Sequence, residues 1–459
     1  MKPKKNQELE LKIDALVYGG NGIGQVEGYK VFVDSVAPGD SVLARMTKAK
    51  SSYGEAKLLK VLQPSALRIE PRCKHFSVCG GCKWQFLDYA KQCDEKEQQV
   101  KDAVSRIGGL PVSLVKPLIP CVEPWFYRNK MELSFGLSAS GEAMLGFYPP
   151  GYHYEVFDLE ECFLQSELLA EIAKKVRDFA NEHKIPVYNS KTHEGLLRTL
   201  TVREGKNTGE VMVILTTSTG VFDHKDGFVA LFENDPRISS VYWNSVYQVP
   251  GQPTWIEENL LAGKASLTET LMLETGVQLE FDILPQAFFQ TNTKQAEVLY
   301  SQVLLAAGLT GEEVVFDLYC GTGTIGLFCA HKAKQVVGIE INESAVESAR
   351  GNAQRNKISN VSFYLGGVEQ RLEELGKSSV AKPDIVIVDP PRAGLEGDTV
   401  EKVAAFRANK IVYVSCNPST LARDLKLFAE KGYTVASIQP VDMFPQTHHI
   451  ECIAVLDSQ

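Results

Sequence analysis

The spacing of apolar positions divides the chain into regions of different period. Between residues 8 and 62 polar and apolar residues alternate in short runs, ELELKI, YKVFVDSV, SVLARMTKAK and AKLLKVL, separated by GGNGIG and APGD. Short strands at close spacing between Gly/Pro turns predict a small β-barrel, with GGNGIG as a hairpin turn rather than a phosphate cradle. A helical period runs from about Leu87 to Ile107, and a second helix is expected near Glu167–His183. Otherwise residues 125–280 carry short β patterns such as GEVMVILTT, ISSVYWNSV and ASLTETLML.

The pattern changes near Leu284. TNTKQAEVLYSQVLLAAGL places Ala296, Leu299, Tyr300, Val303 and Leu304 on one helical face, with Asn292 positioned to cap it. Strands and helices then alternate to the end: VVFDLYC, QVVGIE, VSFYL, DIVIVDPP, KIVYVSC and HHIECIAVL are the strands, with helices between most of them. That order predicts a mostly parallel sheet in a doubly wound α/β domain. The fold class is therefore α/β plus all-β, in three segments: 1–63 a β-barrel, 64–283 a central β-rich region, and 284–459 a Rossmann-like domain.

Composition changes this picture little. A chain of 459 residues with 44% hydrophobic and 23% charged residues fits a multidomain globular protein. No apolar run reaches membrane-spanning length, no signal-peptide pattern opens the chain, and ten cysteines without one point to a reducing compartment, so cytoplasm is expected. Charge is uneven: residues 1–120 carry 19 Lys/Arg against 13 Asp/Glu, the remainder 29 against 44. A basic N-terminal part on an acidic body suits an anionic polymer held at one end.

Three stretches carry chemistry. FDLYCGTGTIG (Phe316–Gly326) is a strand, a glycine-rich turn and a helix, with Gly321, Gly323 and Gly326 in G-x-G-x-x-G spacing and Glu340 ending the next strand. Such a turn lets backbone N–H groups approach a ligand, and a strand-end carboxylate can accept from ribose hydroxyls. NAD and S-adenosylmethionine both use this arrangement; Asp317 and DPPR (389–392) favour S-adenosylmethionine. CKHFSVCGGC places Cys73, Cys79 and Cys82 as C-x5-C-x2-C, a chelating loop for an iron–sulfur cluster or zinc, with Cys93, Cys121 and Cys162 as candidate fourth ligands. Finally, VYVSCNPST ends a strand on Cys416.

The ordered set C-x5-C-G-G-C, YRNK (127–130), FFQTN (288–292), DLYCGTG, DPPR, SCNP and HHIE resembles the S-adenosylmethionine-dependent RNA uracil-C5 methyltransferases over essentially the whole chain. The barrel resembles the RNA-binding TRAM module carried by that family's 23S rRNA branch. The resemblance implies a [4Fe–4S] cluster on Cys73, Cys79, Cys82 and Cys162, cofactor contacts from Gln290, Tyr319, Glu340 and Asp389 with the loop glycines Gly321 and Gly323, and RNA as partner. It favours 23S rRNA over tRNA, and a monomer.

The chemistry explains why a cysteine is needed. C5 of uracil is too electron-poor to attack a methyl sulfonium; a thiolate added at C6 gives C5 nucleophilic character. A general base must then remove the C5 proton. Cys416 suits the first role and Glu451 the second, with Asp389 at the uracil edge; His448 and His449 are adjacent, so at most one should face the site. Arg128 and Lys130, with Arg198 and Arg203, are candidate RNA contacts. Three other readings compete: a base amino-methyltransferase using DPPR, a cytosine-C5 enzyme, and a non-catalytic RNA-binding protein.

Overall fold

A computed structural model describes residues 2–152, 154–248, 251–377 and 382–459. The chain forms two compact units: residues 1–72, 81–124 and 388–459 make the first, and 73–80 with 125–387 the second. This grouping differs from the three linear segments, because the barrel and the last strands of the chain share one unit.

Alternation in the first 63 residues does produce a barrel. Strands β1 (Glu8–Leu16), β2 (Gly22–Val26), β3 (Tyr29–Val33), β4 (Ser41–Ala49) and β5 (Tyr53–Gln63) close in the order β1-β2-β3-β5-β4. Every second residue points inward, so Leu9, Leu11, Ile13, Val31, Val33, Val42, Ala44 and Met46 fill the interior. Helix α1 (Tyr89–Arg106) follows, opened by Asp88, whose side chain accepts from Ala90 N.

In the second unit, β6 (Lys130–Leu137), β7 (Ala143–Phe147), β8 (Phe157–Asp158), α2 (Leu168–Glu182), β9 (Leu197–Glu204), β10 (Val211–Ser218), α3 (Lys225–Ala230), β11 (Ile238–Tyr247) and β12 (Trp255–Gly263) build a sheet of order β12-β11-β10-β9-β6-β7-β8. One face packs on α2 and α3, where Leu169, Ile172, Val176 and Phe228 meet Leu133, Leu200 and Val213. The hairpin β13 (Leu267–Met272) and β14 (Gln278–Ile283) leads to α4 (Thr293–Ala307). Asn292 caps α4 as its position predicts, accepting from Gln295 N at 3.1 Å.

The α/β alternation is also as the pattern predicts: β15 (Val314–Leu318), α5 (Thr324–Ala330), β16 (Gln335–Glu340), α6 (Glu343–Arg355), β17 (Val361–Leu365), α7 (Val368–Gly376) and β18 (Ile385–Val388), with strand order β17-β16-β15-β18. In the first unit, α8 (Thr399–Ala405), β19 (Lys410–Ser415), α9 (Pro418–Glu430), β20 (Tyr433–Val441) and β21 (Glu451–Ser458) follow, the strands in the order β19-β21-β20. Here β21 is antiparallel to both neighbours. The sequence pattern passes over β20, whose alternation is broken by a bulge between Val435 and Ser437 and by Pro440.

Helix α1 anchors the segment between β20 and β21. Lys96 and Asp442, both fully buried, form an ion pair at 2.7 Å. Tyr89 donates its hydroxyl hydrogen to the same carboxylate at 3.0 Å, and Lys96 also reaches the Phe444 carbonyl oxygen at 3.1 Å. Four residues before Lys96, Gln92 exchanges two hydrogen bonds with Gln446. Removing one partner of a buried pair strands the other charge. Lys96→Met is therefore expected to destabilise this unit by about 3–5 kcal/mol in denaturant unfolding. Lys96→Met with Asp442→Leu should recover most of the loss, because no buried charge then remains.

Candidate active site

In the first unit the turn SCNP is tied to DPPR. Strand β19 ends on Ser415, leaving Cys416 on the peptide before the helix cap. Asn417 caps α9, accepting from Ser419 N at 3.0 Å, and Pro418 takes the first helical position, where it needs no N–H partner. The Asn417 amide also donates to the Arg392 carbonyl oxygen at 3.1 Å, and the Thr420 hydroxyl donates to the same oxygen at 3.3 Å. Arg423 on α9 holds the next turn through the carbonyls of Ala393 and Leu395. The direction of the Cys416 side chain is thus set by a cap and a clamp, both made of polar groups the sequence displays.

Around Cys416 the charges are arranged unevenly. Burial, with the charges of Glu451 and Asp389, pushes its thiol up to about 11 against the pull of Arg392. Glu451 starts β21 and is buried. Burial, then the neighbouring Asp389 charge, holds its carboxyl well above the usual range, while Arg392 pulls the other way. Burial alone pushes the partly buried Asp389 to about 7. Cys416 and Glu451, both reluctant to ionise, therefore share the field of the Arg392 guanidinium. A carboxylate with raised proton affinity is a better acceptor for a carbon-bound proton once it is ionised.

His448 belongs to this neighbourhood. Burial, helped by the charges of Lys83, Lys96 and Arg392, lowers it to about 4. It is neutral at pH 7, with its Nδ1 buried and unpartnered among the described residues. The His449 ring lies 4.1 Å from that of His448 and also makes a T-shaped contact with Phe444, with centroids 5.9 Å apart.

The glycine-rich turn lies in the second unit. Tyr319 (φ 62°), Gly321 (φ 54°) and Gly323 (φ 80°) all take left-handed conformations, which make the reversal between β15 and α5. At Gly323 the glycine is obligatory, since a Cβ would lie 2.7 Å from Phe363 Cζ. Asp317, buried under the turn, accepts from Gly326 N at 2.8 Å. Glu340 accepts from Gly321 N at 3.0 Å with one oxygen and from Asn342 N at 2.8 Å with the other. A carboxylate has about four lone-pair sites, so Glu340 keeps capacity for ribose hydroxyls. A Cβ on Gly321 would meet nothing within 4 Å, so open space faces the turn. These features fit a nucleoside cofactor.

Near the other sequence-predicted residues, Asn129 of YRNK donates to the Gln290 carbonyl oxygen at 2.7 Å and to Thr293 Oγ1 at 3.0 Å. YRNK and FFQTN therefore meet. Lys130 is half-buried and its amine is lowered by burial and by Arg203. Arg203 is buried and donates to the Ala287 carbonyl oxygen. Arg198 stacks on Tyr188, 4.4 Å from the ring centroid, and reaches Gln248. Arg128 offers its guanidinium to Met131 Sδ at 3.9 Å.

The iron–sulfur site expected from the sequence is not shown. Cys73 lies near enough to Cys162 to be raised by it, and Lys74 N donates to Glu161 at 2.7 Å, so the 73–79 loop does meet the 160–162 segment. Among the described residues, however, no three His, Cys, Asp or Glu side chains form a metal-holding group. Cys82 falls in the other unit. The spacing in CGGC is a local property, whereas convergence of a fourth ligand depends on tertiary placement.

Arg392 is a candidate site residue that the sequence motif does not single out: its charge acts on both Cys416 and Glu451. A cation one residue past a Pro-Pro turn at a strand's carboxyl end was the available signal.

A glycine-turn α/β sheet, a strand-end cysteine facing buried acids, and a barrel ahead of them define the class of S-adenosylmethionine-dependent RNA methyltransferases. The comparisons are more specific. Residues 257–459 match the tRNA (uracil-5-)-methyltransferase model, and residues 2–59 match the TRAM domain. An RNA methyltransferase of Clostridium tetani is 39% identical over 99% of this chain and 97% of its own length. One from Bacteroides thetaiotaomicron is 37% identical over 95% of this chain and 99% of its own. The crystal structure of Pyrococcus abyssi tRNA (uracil-54, C5)-methyltransferase with S-adenosyl-L-homocysteine is 31% identical and covers 97% of this chain and 99% of that one, with a TM-score of 0.76. The chain belongs to the RNA (uracil-5-)-methyltransferase family. Among the described residues no helix is long and apolar enough to cross a membrane.

Proposed function

We propose that this enzyme methylates C5 of a uridine in RNA through a covalent adduct between Cys416 and C6. The observation that carries the reading is the grouping of Cys416, Glu451, Asp389 and Arg392 within one unit, from three separate stretches of sequence. When bound, S-adenosylmethionine supplies the methyl group; Gly321, Gly323, Tyr319, Glu340 and Gln290 would hold it. The Cys416 thiolate adds to C6, and the C5=C6 electrons move to give an enolate nucleophilic at C5. After methyl transfer Glu451 takes the C5 proton, the C5=C6 bond re-forms, and Cys416 leaves as thiolate. Asp389, raised to about 7 by burial, is protonated in part near neutral pH and in that form can donate to the uracil edge as a neutral acid. Arg392 favours the thiolate and balances the charge on Glu451. A base amino-methyltransferase would need none of this cysteine chemistry, which favours the uracil reading.

Arg128 and Lys130 are assigned to the RNA path beside FFQTN. The expectation of 23S rRNA rested on the barrel. The archaeal tRNA enzyme matches 97% of this chain, more than could be covered without residues 2–59, so the barrel does not by itself select rRNA. Mapping 5-methyluridine in rRNA and tRNA from cells with and without the gene decides the target, and loss of no 5-methyluridine in either pool would sink the reading. Cys73, Cys79, Cys82 and Cys162 enter only as candidate ligands of an iron–sulfur cluster, tested by the colour and iron content of protein purified without air. No step above uses them.

A further inference from the structure

The first turn of the barrel carries a group that the reaction so far does not use. Val17–Asn21 join β1 to β2 within the unit that holds Cys416, although 398 residues separate Tyr18 from that cysteine. The Tyr18 hydroxyl donates to the Cys416 carbonyl oxygen at 3.3 Å. Its ring meets His448 edge-on, with centroids 6.2 Å apart. Two residues on, Gly20 (φ 89°) is seated so tightly that a Cβ would lie 2.8 Å from Lys83 Cδ and 3.3 Å from His448 Cβ. The turn's carbonyls are also held: Gly20 O accepts from Trp84 Nε1 at 3.2 Å and Gly19 O from Lys83 Nζ at 3.3 Å. Lys83 N and Trp84 N in turn both donate to Gln446 O, just ahead of His448.

We propose that this turn is a wall of the catalytic site and that Tyr18 is a positioning residue for Cys416. The proposal rests on the reading of Cys416 as nucleophile. Holding the carbonyl of the peptide that follows Cys416 limits rotation of that peptide, and with it the direction of the Cα–Cβ bond that aims the thiol. Asn417 and Thr420 fix the far side of the same turn through Arg392, so Tyr18 closes the side those residues leave open. Burial and the neighbouring Cys416 push the phenol up to about 12, so it stays a neutral donor while the cysteine ionises. A barrel that served only to grip RNA would need no hydroxyl at this position.

Tyr18→Phe keeps the ring against His448 and removes only the hydroxyl. The measurement is single-turnover formation of the covalent adduct with RNA carrying 5-fluorouridine, at saturating RNA, beside RNA binding and thermal melting. The expected result is a rate about three- to tenfold lower, the range one hydrogen bond accounts for, with RNA dissociation constant and melting temperature unchanged. Gly20→Ala should slow the same step further by displacing His448. An unchanged rate for Tyr18→Phe at saturating RNA overturns the proposal, as does a slower rate that appears only through weaker RNA binding or a lower melting temperature. If the wild-type enzyme forms no adduct, the nucleophile assignment fails and takes this proposal with it, an outcome recognisable because the wild type itself is then silent.

Discussion

Cys416→Ala is expected to lower methyl transfer by more than about a thousandfold, as removal of a covalent nucleophile does, and to abolish the 5-fluorouridine adduct altogether. The substitution should leave the fold intact, because Cys416 is only partly buried and its turn is held by Asn417, Thr420 and Arg423 rather than by the thiol. Cofactor binding should also survive, since the glycine turn and Glu340 belong to the other unit. Calorimetric titration with S-adenosylmethionine thus separates a dead nucleophile from a misfolded protein. Retained methylation would eliminate the adduct mechanism and restore the amino-methyltransferase reading.

The pH dependence of adduct formation follows from the same site. The Cys416 thiol stands at about 11 in the free protein. Below that value the thiolate fraction rises tenfold per pH unit, so the wild-type adduct rate should climb with near-unit slope from pH 7 to 9. A flat profile would show that RNA binding, or a step after addition, limits the rate. Ionisation of Glu451 in the same range adds a negative charge beside the thiol, which makes the climb shallower rather than steeper. Arg392 works against both elevated values, and its removal should move the climb to higher pH.

Glu451→Gln is expected to separate addition from release. Glutamine fills the same volume but cannot take the C5 proton, so turnover should fall by about 10²–10⁴-fold, the usual contribution of a positioned base. Addition should not suffer equally. An ionised Glu451 raises the Cys416 thiol, and the amide removes that charge. The variant should therefore accumulate a covalent complex with ordinary uridine RNA, visible on a denaturing gel and heavier by one methyl group. Absence of that complex, with methylated RNA released at the normal rate, would move the base role to another group in the cluster, Asp389 first. His448 is poorly suited to that role. It is already neutral at pH 7, but burial and the surrounding cations hold it near 4, which makes it a weak acceptor.

Much of the site was legible in the sequence wherever the relevant physics is local. The glycine turn shows itself because left-handed backbone at 321 and 323 demands glycine, and the cap of α4 because Asn292 precedes a helical period. Cys416 was recognisable as a strand-end residue because an apolar run stops at it and Asn-Pro starts a helix. Glu451 was placed correctly at the start of a strand, yet that position usually means solvent. Only packing shows it buried among Asp389, Arg392 and Cys416. The iron–sulfur expectation lies beyond local physics, since CGGC spacing suggests a ligand set while saying nothing about where Cys162 or Cys82 will come to lie.

By itself, the sequence determined which stretches become strands, helices and turns, and which residue types stand at their ends. Those properties follow from side-chain period, capping and allowed φ, each decided within a few residues. Tertiary structure alone decided that the hydroxyl of Tyr18 meets the carbonyl of Cys416, that Lys96 neutralises Asp442, and that Arg392 stands beside Cys416 and Glu451. The first two contacts join residues 398 and 346 positions apart, and the energies that matter in all three arise from desolvation and Coulomb interaction in a buried place. Neither quantity exists until the chain has closed around it.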